Sequence, residues 1–395
     1  MDVYERSLAL HRETKGKLEV ISRMRLDSTE DLSLAYTPGV ARPCEVIAKD
    51  SEASFDLTWR GRCVAVVSDG SAVLGLGDIG PAAAMPVMEG KALPFKGVAG
   101  VDAVPIVIDE RSEERFIGIV RSLVSSFGAI NLEDIAAPRC FRIEDALQDV
   151  GIPVLHDDQH GTAIVLLAAI LNAGKALGRP LSQMSVVING AGAAGRAIAR
   201  MLSCADADDR CIPVGKVRVC DSRGVIFPGR KGDDEVKQEL ARASNPEGDQ
   251  GDLRDALRGA DVFIGVSKGN LLSAADVRTM AKDPIVIAMA NPTPEILPDE
   301  AREGGAAVVG TGRSDFPNQV NNVLAFPGLF RGALDARATR FTNAMQFAAV
   351  EALAACVEKP VPERILPPPF DRSVAQRVAA AVADQARSCG VSRVG

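Results

Sequence analysis

Val186-Val187-Ile188-Asn189-Gly190-Ala191-Gly192-Ala193-Ala194-Gly195-Arg196-Ala197-Ile198-Ala199-Arg200-Met201-Leu202 decides the fold of this 395-residue chain. A short apolar run enters a Gly-x-Gly-x-x-Gly turn, and the turn enters a helical pattern. In that order the glycines let the backbone turn tightly and approach a pyrophosphate, whose charge sits at the helix N-terminus. Asp221 closes the next apolar run, Val217-Arg218-Val219-Cys220, 26 residues after Gly195, close to where a carboxylate meets an adenosine ribose. Gly190, Gly192, Ala193, Ala194 and Gly195 are therefore read as the pyrophosphate turn of a nicotinamide dinucleotide, with Asp221, Ser222 and Arg223 at its ribose. A glycine turn that merely packs helix on strand is the bland alternative; strand, turn, helix and carboxylate together favour the dinucleotide. Asp221 suits the ribose diol of NAD, whereas Ser222-Arg223 suit the 2′-phosphate of NADP, so both cofactors stay open.

Further along the chain, Val262-Phe263-Ile264, Ile285-Val286-Ile287 and Ala307-Val308-Val309 repeat the apolar beat, with helix-length segments between most of them. Short, fully apolar strands alternating with helices predict an α/β chain with a Rossmann-like, doubly wound parallel sheet. Towards the N-terminus, Val64 to Val67 and Val104 to Ile108 read as strands in a less regular α/β region. Thr162 to Leu177 reads as a helix apolar nearly all round, which puts a boundary near 160. Residues 1–160 are then an N-terminal α/β substrate and metal domain, and 161–395 a dinucleotide domain with a helical tail from about 318. That tail carries Pro367-Pro368-Pro369 and a closing helical segment, Val374 to Ala386, suited to packing on the chain or on a second subunit.

Composition narrows the function classes. Hydrophobic residues make up 47% and charged residues 25%, the balance of a globular protein. A net charge of −7 gives no global positive field for nucleic acid or anionic lipid, so an anionic substrate must be held by local cations. The longest purely apolar run, Ala163 to Leu171, is far short of the ~18–20 residues of a membrane span. The opening Met-Asp-Val-Tyr-Glu-Arg lacks the basic and apolar regions of a secretory signal, which suggests a cytoplasmic protein. The eight cysteines contain no Cys-x-x-Cys pair and are expected as reduced, mostly buried thiols.

Two acidic pairs stand in otherwise apolar or small-residue surroundings: Glu133-Asp134 and Asp157-Asp158. Adjacent carboxylates repel and raise one another's pKa, a cost that a divalent ion removes. Oxygen-only ligation selects Mg²⁺ or Mn²⁺. Zinc on His156 and His160 is the rival, but no third soft ligand lies nearby and the segment is not His-Glu-x-x-His. Helix caps or solvated surface are the bland alternative for the acidic pairs. Tyr36, one of two tyrosines, sits in a small-residue loop, and Lys91 follows Glu89-Gly90. Singly, each reads as an ordinary core tyrosine or surface lysine.

Leu34-Ala-Tyr-Thr-Pro-Gly-Val-Ala41, Ser68-Asp-Gly-Ser-Ala-Val-Leu-Gly-Leu-Gly-Asp78, Glu89-Gly-Lys-Ala92, Leu132-Glu-Asp-Ile135, His156-Asp-Asp-Gln-His-Gly-Thr162 and Asn321-Asn-Val-Leu-Ala-Phe-Pro-Gly328 closely resemble, in order along the chain, the malic enzyme family in its shorter bacterial type. The resemblance implies oxidative decarboxylation of L-malate to pyruvate and CO₂ with NAD(P)⁺ and Mg²⁺ or Mn²⁺. It implies Tyr36 as general acid, Lys91 as general base, Glu133, Asp134 and Asp158 as metal ligands, and Asp157 as the carboxylate supporting proton transfer. Asn291, at the cofactor and substrate, and Asn321 resemble substrate-binding residues, with Asn322 beside them. A homodimer is the expected assembly.

The inventory suits the chemistry. Hydride loss from C2 needs a neutral base for the hydroxyl proton, so the pKa of Lys91 must fall well below ~10.4 through burial and a nearby metal charge. Larger relatives carry an arginine for a substrate carboxylate where this chain has Ala72, which leaves Lys96 or a neighbouring subunit to replace it.

Overall fold

The computed structural model describes residues 2–73, 75–205 and 210–394, so Leu74 of the glycine-rich segment lies outside the described residues. The first sheet is formed by β1 (Cys63–Ser68), β2 (Asp102–Val107), β3 (Ala129–Leu132) and β4 (Val154–His156) in the order β2-β1-β3-β4. All its pairings are parallel. The region read as irregular is thus an ordered parallel sheet whose outer strands are short or, as in β2, only half-buried, which blurs the apolar run.

The second sheet contains β5 (Ser185–Asn189), β6 (Lys216–Asp221), β7 (Gly224–Val225), β8 (Val262–Gly265), β9 (Ile285–Ala288) and β10 (Val308–Thr311) in the order β10-β9-β8-β5-β6-β7. Only the two-residue β7 is antiparallel. The strand order reverses at β5, which opens a crevice at the carboxyl ends of β5 and β8, where doubly wound sheets bind ligands.

The helix Asp157–Ala176 follows β4 directly and lies in one continuous core with residues of both sheets, among them Val64, Val66, Val186 and Ile188. It starts five residues earlier than its apolar pattern, so residue 160 falls inside it. Its first turn is polar and acidic, which suits the positive end of a helix and hides it from a search for apolar periodicity. The helices Phe326–Asp335, Asn343–Ala355 and Arg372–Ser388 close the chain; the first and last pack on each other and on the helix Pro81–Ala99 beside the first sheet. Among the described residues no helix is long and apolar enough to cross a membrane.

The cysteines depart from expectation. Cys204 and Cys211 form a disulfide, with Cα atoms 5.7 Å apart, a separation that suits the bond. Cys44 and Cys389 are exposed, and only Cys63, Cys140 and Cys220 are buried free thiols.

Candidate active site

Parallel pairing in register puts Leu132 beside His156, so the residues that follow β3 and β4 emerge at the same carboxyl edge. Glu133 and Asp134 leave β3, and Asp157 and Asp158 open the helix after β4. The Glu133 amide donates to the carbonyl of Val67, and the Asp134 amide donates to Oδ2 of Asp158 at 2.8 Å. Asp134 takes a left-handed backbone, φ 53°, to make that turn. The cost is of order 1–3 kcal/mol, the kind of strain that collects at functional sites.

Lys91 reaches this edge from the middle of the helix Pro81–Ala99. Its Nζ lies 2.6 Å from Asp157 Oδ2 and 2.7 Å from Glu133 Oε1, and 4.4 Å above the ring of Phe326. Asn322 Nδ2 donates to the same Asp157 oxygen at 2.6 Å, and Asn131 Nδ2 donates to Glu133 Oε2 at 2.8 Å. Lys91, Glu133, Asp134 and Asp157 are all nearly inaccessible to solvent.

Charge is badly unbalanced here. Among the described residues the Lys91 ammonium bonds two of these carboxylates, Glu133 and Asp157, with Asp158 close by. Burial pulls the Lys91 pKa down, but Asp157, Glu133 and Asp158 together outweigh it and hold the lysine protonated well above its ordinary value. The expected depressed lysine is therefore not found in the protein alone. Burial likewise pushes Glu133 well above the usual carboxylate range, against the pull of Lys91. Burial and a metal are foreseeable from the sequence; the carboxylates that the parallel register packs around the amine are not.

A hard cation answers that imbalance. Glu133, Asp134 and Asp158 each offer an oxygen, all within 4.8 Å of one another. The buried Oδ1 of Asp157 has no hydrogen-bond partner among the described residues. An all-carboxylate donor set with this excess of negative charge fits Mg²⁺ or Mn²⁺. Neither histidine belongs to that donor group. His160 bonds to Gln346 and Glu144, and His156 is fully buried with its Nδ1 3.7 Å from Asp158 Oδ2.

Glu144, which the sequence reading missed, braces the acidic turn from behind. It accepts from the His156 amide at 2.9 Å, from Gln159 Nε2 at 2.8 Å and from His160 Nε2. Burial would raise its pKa, but His160 and His156 hold it below the usual range. Its place in an ordinary amphipathic helix, Arg139–Ala146, gives no sequence signal.

The remaining candidates divide. A cavity of about 710 Å³ opens on the second sheet, lined by Gly190, Gly192, Asp221, Ser222 and Arg223 among others. Ala193, Ala194 and Gly195 form the first turn of the helix after it. A Cβ on Gly195 would strike the carbonyl of Gly190, so the third glycine is needed for packing. Asn291 follows β9 at the same edge and donates to the Met289 carbonyl at 3.3 Å. Asn321 accepts from the Val323 amide, capping the turn that delivers Asn322 to Asp157.

Tyr36 and Lys96 lie elsewhere. Tyr36 is 68% exposed, in a surface groove with Ile21, Met24 and Arg62. Arg62 pairs with Asp102, and Lys96 donates to the same carboxylate at 2.5 Å. Arg62 and Asp102 mark the amino edge of the first sheet, opposite the acidic turn. The six-residue β1 that separates the edges spans roughly 17–20 Å at about 3.3 Å per residue. Lys96 thus does not replace the arginine missing at Ala72 within its own chain, because β2 begins beside it and claims its charge. The Ala72 amide instead donates to the Asp134 carbonyl, tying the glycine-rich segment to the acidic turn.

The family model described as malic enzyme, N-terminal domain, matches residues 15–148, and that described as malic enzyme, NAD binding domain, matches residues 159–387. The chain is 52% identical to a bifunctional malic/malolactic enzyme of Bacillus subtilis, over all of this chain and 95% of that protein. It is 49% identical to an NAD-dependent malic enzyme of Geobacillus stearothermophilus, over all of this chain and 81% of that protein. A solved NAD-dependent malic enzyme from Thermotoga maritima superposes with a TM-score of 0.91 at 48% identity, covering 97% of this chain and 99% of that one.

Proposed function

The chain belongs to the malic enzyme family, and on that premise we propose the roles of its own residues in the oxidative decarboxylation of L-malate to pyruvate and CO₂ with NAD⁺ or NADP⁺. The observation that carries the reading is the buried Lys91, bonded to Asp157 and Glu133, beside a three-carboxylate cation site. Lys91 is the general base that takes the C2 hydroxyl proton. Asp157, 2.6 Å away, and the Phe326 ring position its ammonium and hold the proton once it has arrived. Asn322 fixes Asp157 in turn. When bound by Glu133, Asp134 and Asp158, Mg²⁺ or Mn²⁺ supplies Lewis-acid stabilisation of the developing enolate oxygen and offsets the negative charge that otherwise keeps Lys91 protonated. Gly190, Gly192 and the first turn of Ala193–Leu202 seat the pyrophosphate, and Asn291 and Asn321 hold substrate from the facing edge. Burial of the acidic turn excludes water around the enolate.

Tyr36 protonates C3 of enolpyruvate, and it does so from a second copy of the chain. Its own acidic turn lies across the sheet, while Val20, Ile21, Met24, Leu26, Leu34 and Tyr36 form an exposed apolar arm. Such a patch marks an interface, and a two-fold partner is the commonest way to cover it. Tyr36→Phe and Lys91→Ala proteins should each be inactive, and refolding them as a mixture should restore turnover. A mixture as inactive as its components would return Tyr36 to its own subunit. A cytoplasmic setting belongs to the same reading: six cysteines are free, and the Cys204–Cys211 disulfide is the one bond that a reducing compartment would open.

The reaction itself is tested with L-malate, Mn²⁺ and either dinucleotide, following reduced nicotinamide and pyruvate together. Equimolar appearance of both, abolished by EDTA, is expected. Reduction without pyruvate would leave a simple dehydrogenase.

A further inference from the structure

Asp221, at the end of β6, stands where a carboxylate would accept the two hydroxyls of an adenosine ribose. Its oxygens are already occupied. Oδ1 accepts from the Arg223 amide at 2.9 Å and from Arg230 Nη1 at 3.0 Å. Oδ2 accepts from Arg230 Nη2 at 2.5 Å and from Lys237 Nζ at 2.8 Å. A carboxylate offers about four lone-pair sites, so these donors saturate it. The side chains of Asp221 and Arg230 are correspondingly only 10% and 8% exposed.

Charge points the same way. Arg230 also grips Asp233 through Nε and Nη2, and Arg223 pairs with Asp233 as well. Within this bonded group Arg223, Arg230 and Lys237 outnumber Asp221 and Asp233 by one positive charge, and Asp252 is a further carboxylate on the cavity lining. The repulsion by which an acidic residue at this position usually excludes a phosphate is reduced at Asp221 itself. Ser222 and the half-exposed Arg223 line the 710 Å³ cavity with Lys268, Arg254 and Asp252. Arg254 pairs with Asp276, while Arg223 Nη1 donates to the Lys231 carbonyl at 3.0 Å and Nη2 pairs with Asp233, which leaves Arg223 its Nε–H and one further hydrogen on each Nη. A hydroxyl and a guanidinium fork are the donors that a phosphate dianion takes and that a ribose diol does not need.

We propose that Asp221 is an internal anchor for Arg230 and Lys237, not a ribose ligand, and that Ser222 and Arg223 make this cavity selective for a 2′-phosphorylated dinucleotide, NADP over NAD. The proposal rests on reading the cavity as the dinucleotide site of the malate reaction, and its test is chosen to separate the two.

Adenosine 2′,5′-bisphosphate and 5′-AMP, which differ only in the 2′-phosphate, are titrated calorimetrically into the full chain, without malate or metal. The bisphosphate should bind at least tenfold more tightly, and Arg223→Ala should erase most of that difference. Ser222→Ala should erase part of it. Asp221→Asn should weaken both nucleotides to a similar degree, because it loosens the anchor without touching a ribose. Equal or tighter binding of 5′-AMP overturns the proposal. So does an Asp221→Asn protein that loses 5′-AMP selectively. If neither nucleotide binds, the cavity is not a dinucleotide site and both readings fail. If the bisphosphate wins while neither NAD⁺ nor NADP⁺ supports malate oxidation, the selectivity stands and the reaction assignment falls.

Discussion

A methyl group on Gly161 would fall on the Oδ1 of Asp157. Asp157 is the first residue of its helix and folds its carboxylate back over the next turn, where only a glycine leaves room. Gly161→Ala should therefore push Asp157 off Lys91 and Asn322, which hold its other oxygen. The local strain is about 1–3 kcal/mol, opposed by a helix-propensity gain of about 1 kcal/mol. Far-ultraviolet dichroism should stay unchanged while kcat/KM for malate falls about 100-fold, the low end of the range for a disturbed general base. A Gly161→Ala protein with unaltered kinetics would mean that Asp157 can move without consequence.

Lys91 is the sole ammonium bonded to Glu133 and Asp157 among the described residues. Lys91→Ala leaves buried carboxylates uncompensated, at a cost of about 3–5 kcal/mol. Urea unfolding should show that loss in EDTA and a partial recovery in Mn²⁺, which meets the same charges. Turnover should fall by about 10²–10⁴ and stay low with metal. Lys91→Arg should recover stability but not turnover, because a guanidinium does not give up its proton. Recovery of both would remove Lys91 from proton transfer.

How far the sequence reaches is clear from particular residues. The glycine turn at 190–195, β6, β8, β9 and β10 were legible because buried parallel strands are short apolar runs, and their periodicity is local. The acidic pairs were legible because adjacent carboxylates demand an explanation. Their gathering into one cluster is a matter of register between β3 and β4, which no local pattern encodes. Tyr36 was legible as a residue but not in its position, since nothing within 34–41 tells which edge of the first sheet it occupies. Glu144, Arg230 and Lys237 sit on ordinary helix or loop positions, and their roles arise only from what they touch.

Metal binding should be visible without turnover. Mn²⁺ held by Glu133, Asp134 and Asp158 would relieve their mutual repulsion in the folded state alone. Saturation at about 100-fold over Kd adds roughly 2.7 kcal/mol of stability. A thermal melt should shift upward with Mn²⁺ or Mg²⁺, reverse with EDTA, and shift much less for Asp158→Asn. An Asp158→Asn protein with the full shift would place the ion elsewhere.

Glu144 should tune that affinity from a distance. Its three donors fix the 156–160 segment, from which Asp158 would reach the ion. Groups that orient metal ligands typically contribute 10–100-fold in affinity. Glu144→Gln keeps the volume but offers one acceptor oxygen in place of two, so the Mn²⁺ concentration for half-maximal rate should rise about tenfold. The KM for malate at saturating Mn²⁺ should change little. A change in malate KM alone would assign Glu144 to substrate binding.

Acid should expose the anchor at Asp221. Burial alone would raise its pKa, but Arg230, Lys237 and the Arg223 amide prevail and hold the carboxyl well below the usual range. A carboxylate with a depressed folded pKa contributes its full stability above the unfolded value of about 3.9, and loses it as pH falls through the folded one. Wild type and Asp221→Asn should thus differ most at pH 5–7, by about 1–3 kcal/mol, the scale of hydrogen bonds to a charged group. The gap should narrow once the pH drops below about 4, where the unfolded chain takes up a proton that the folded Asp221 resists. Urea unfolding of both proteins at pH 7, 5 and 3.5 gives the gap directly. A gap that holds constant down to pH 3.5 would mean that Arg230 and Lys237 do not bind the carboxylate in its charged form.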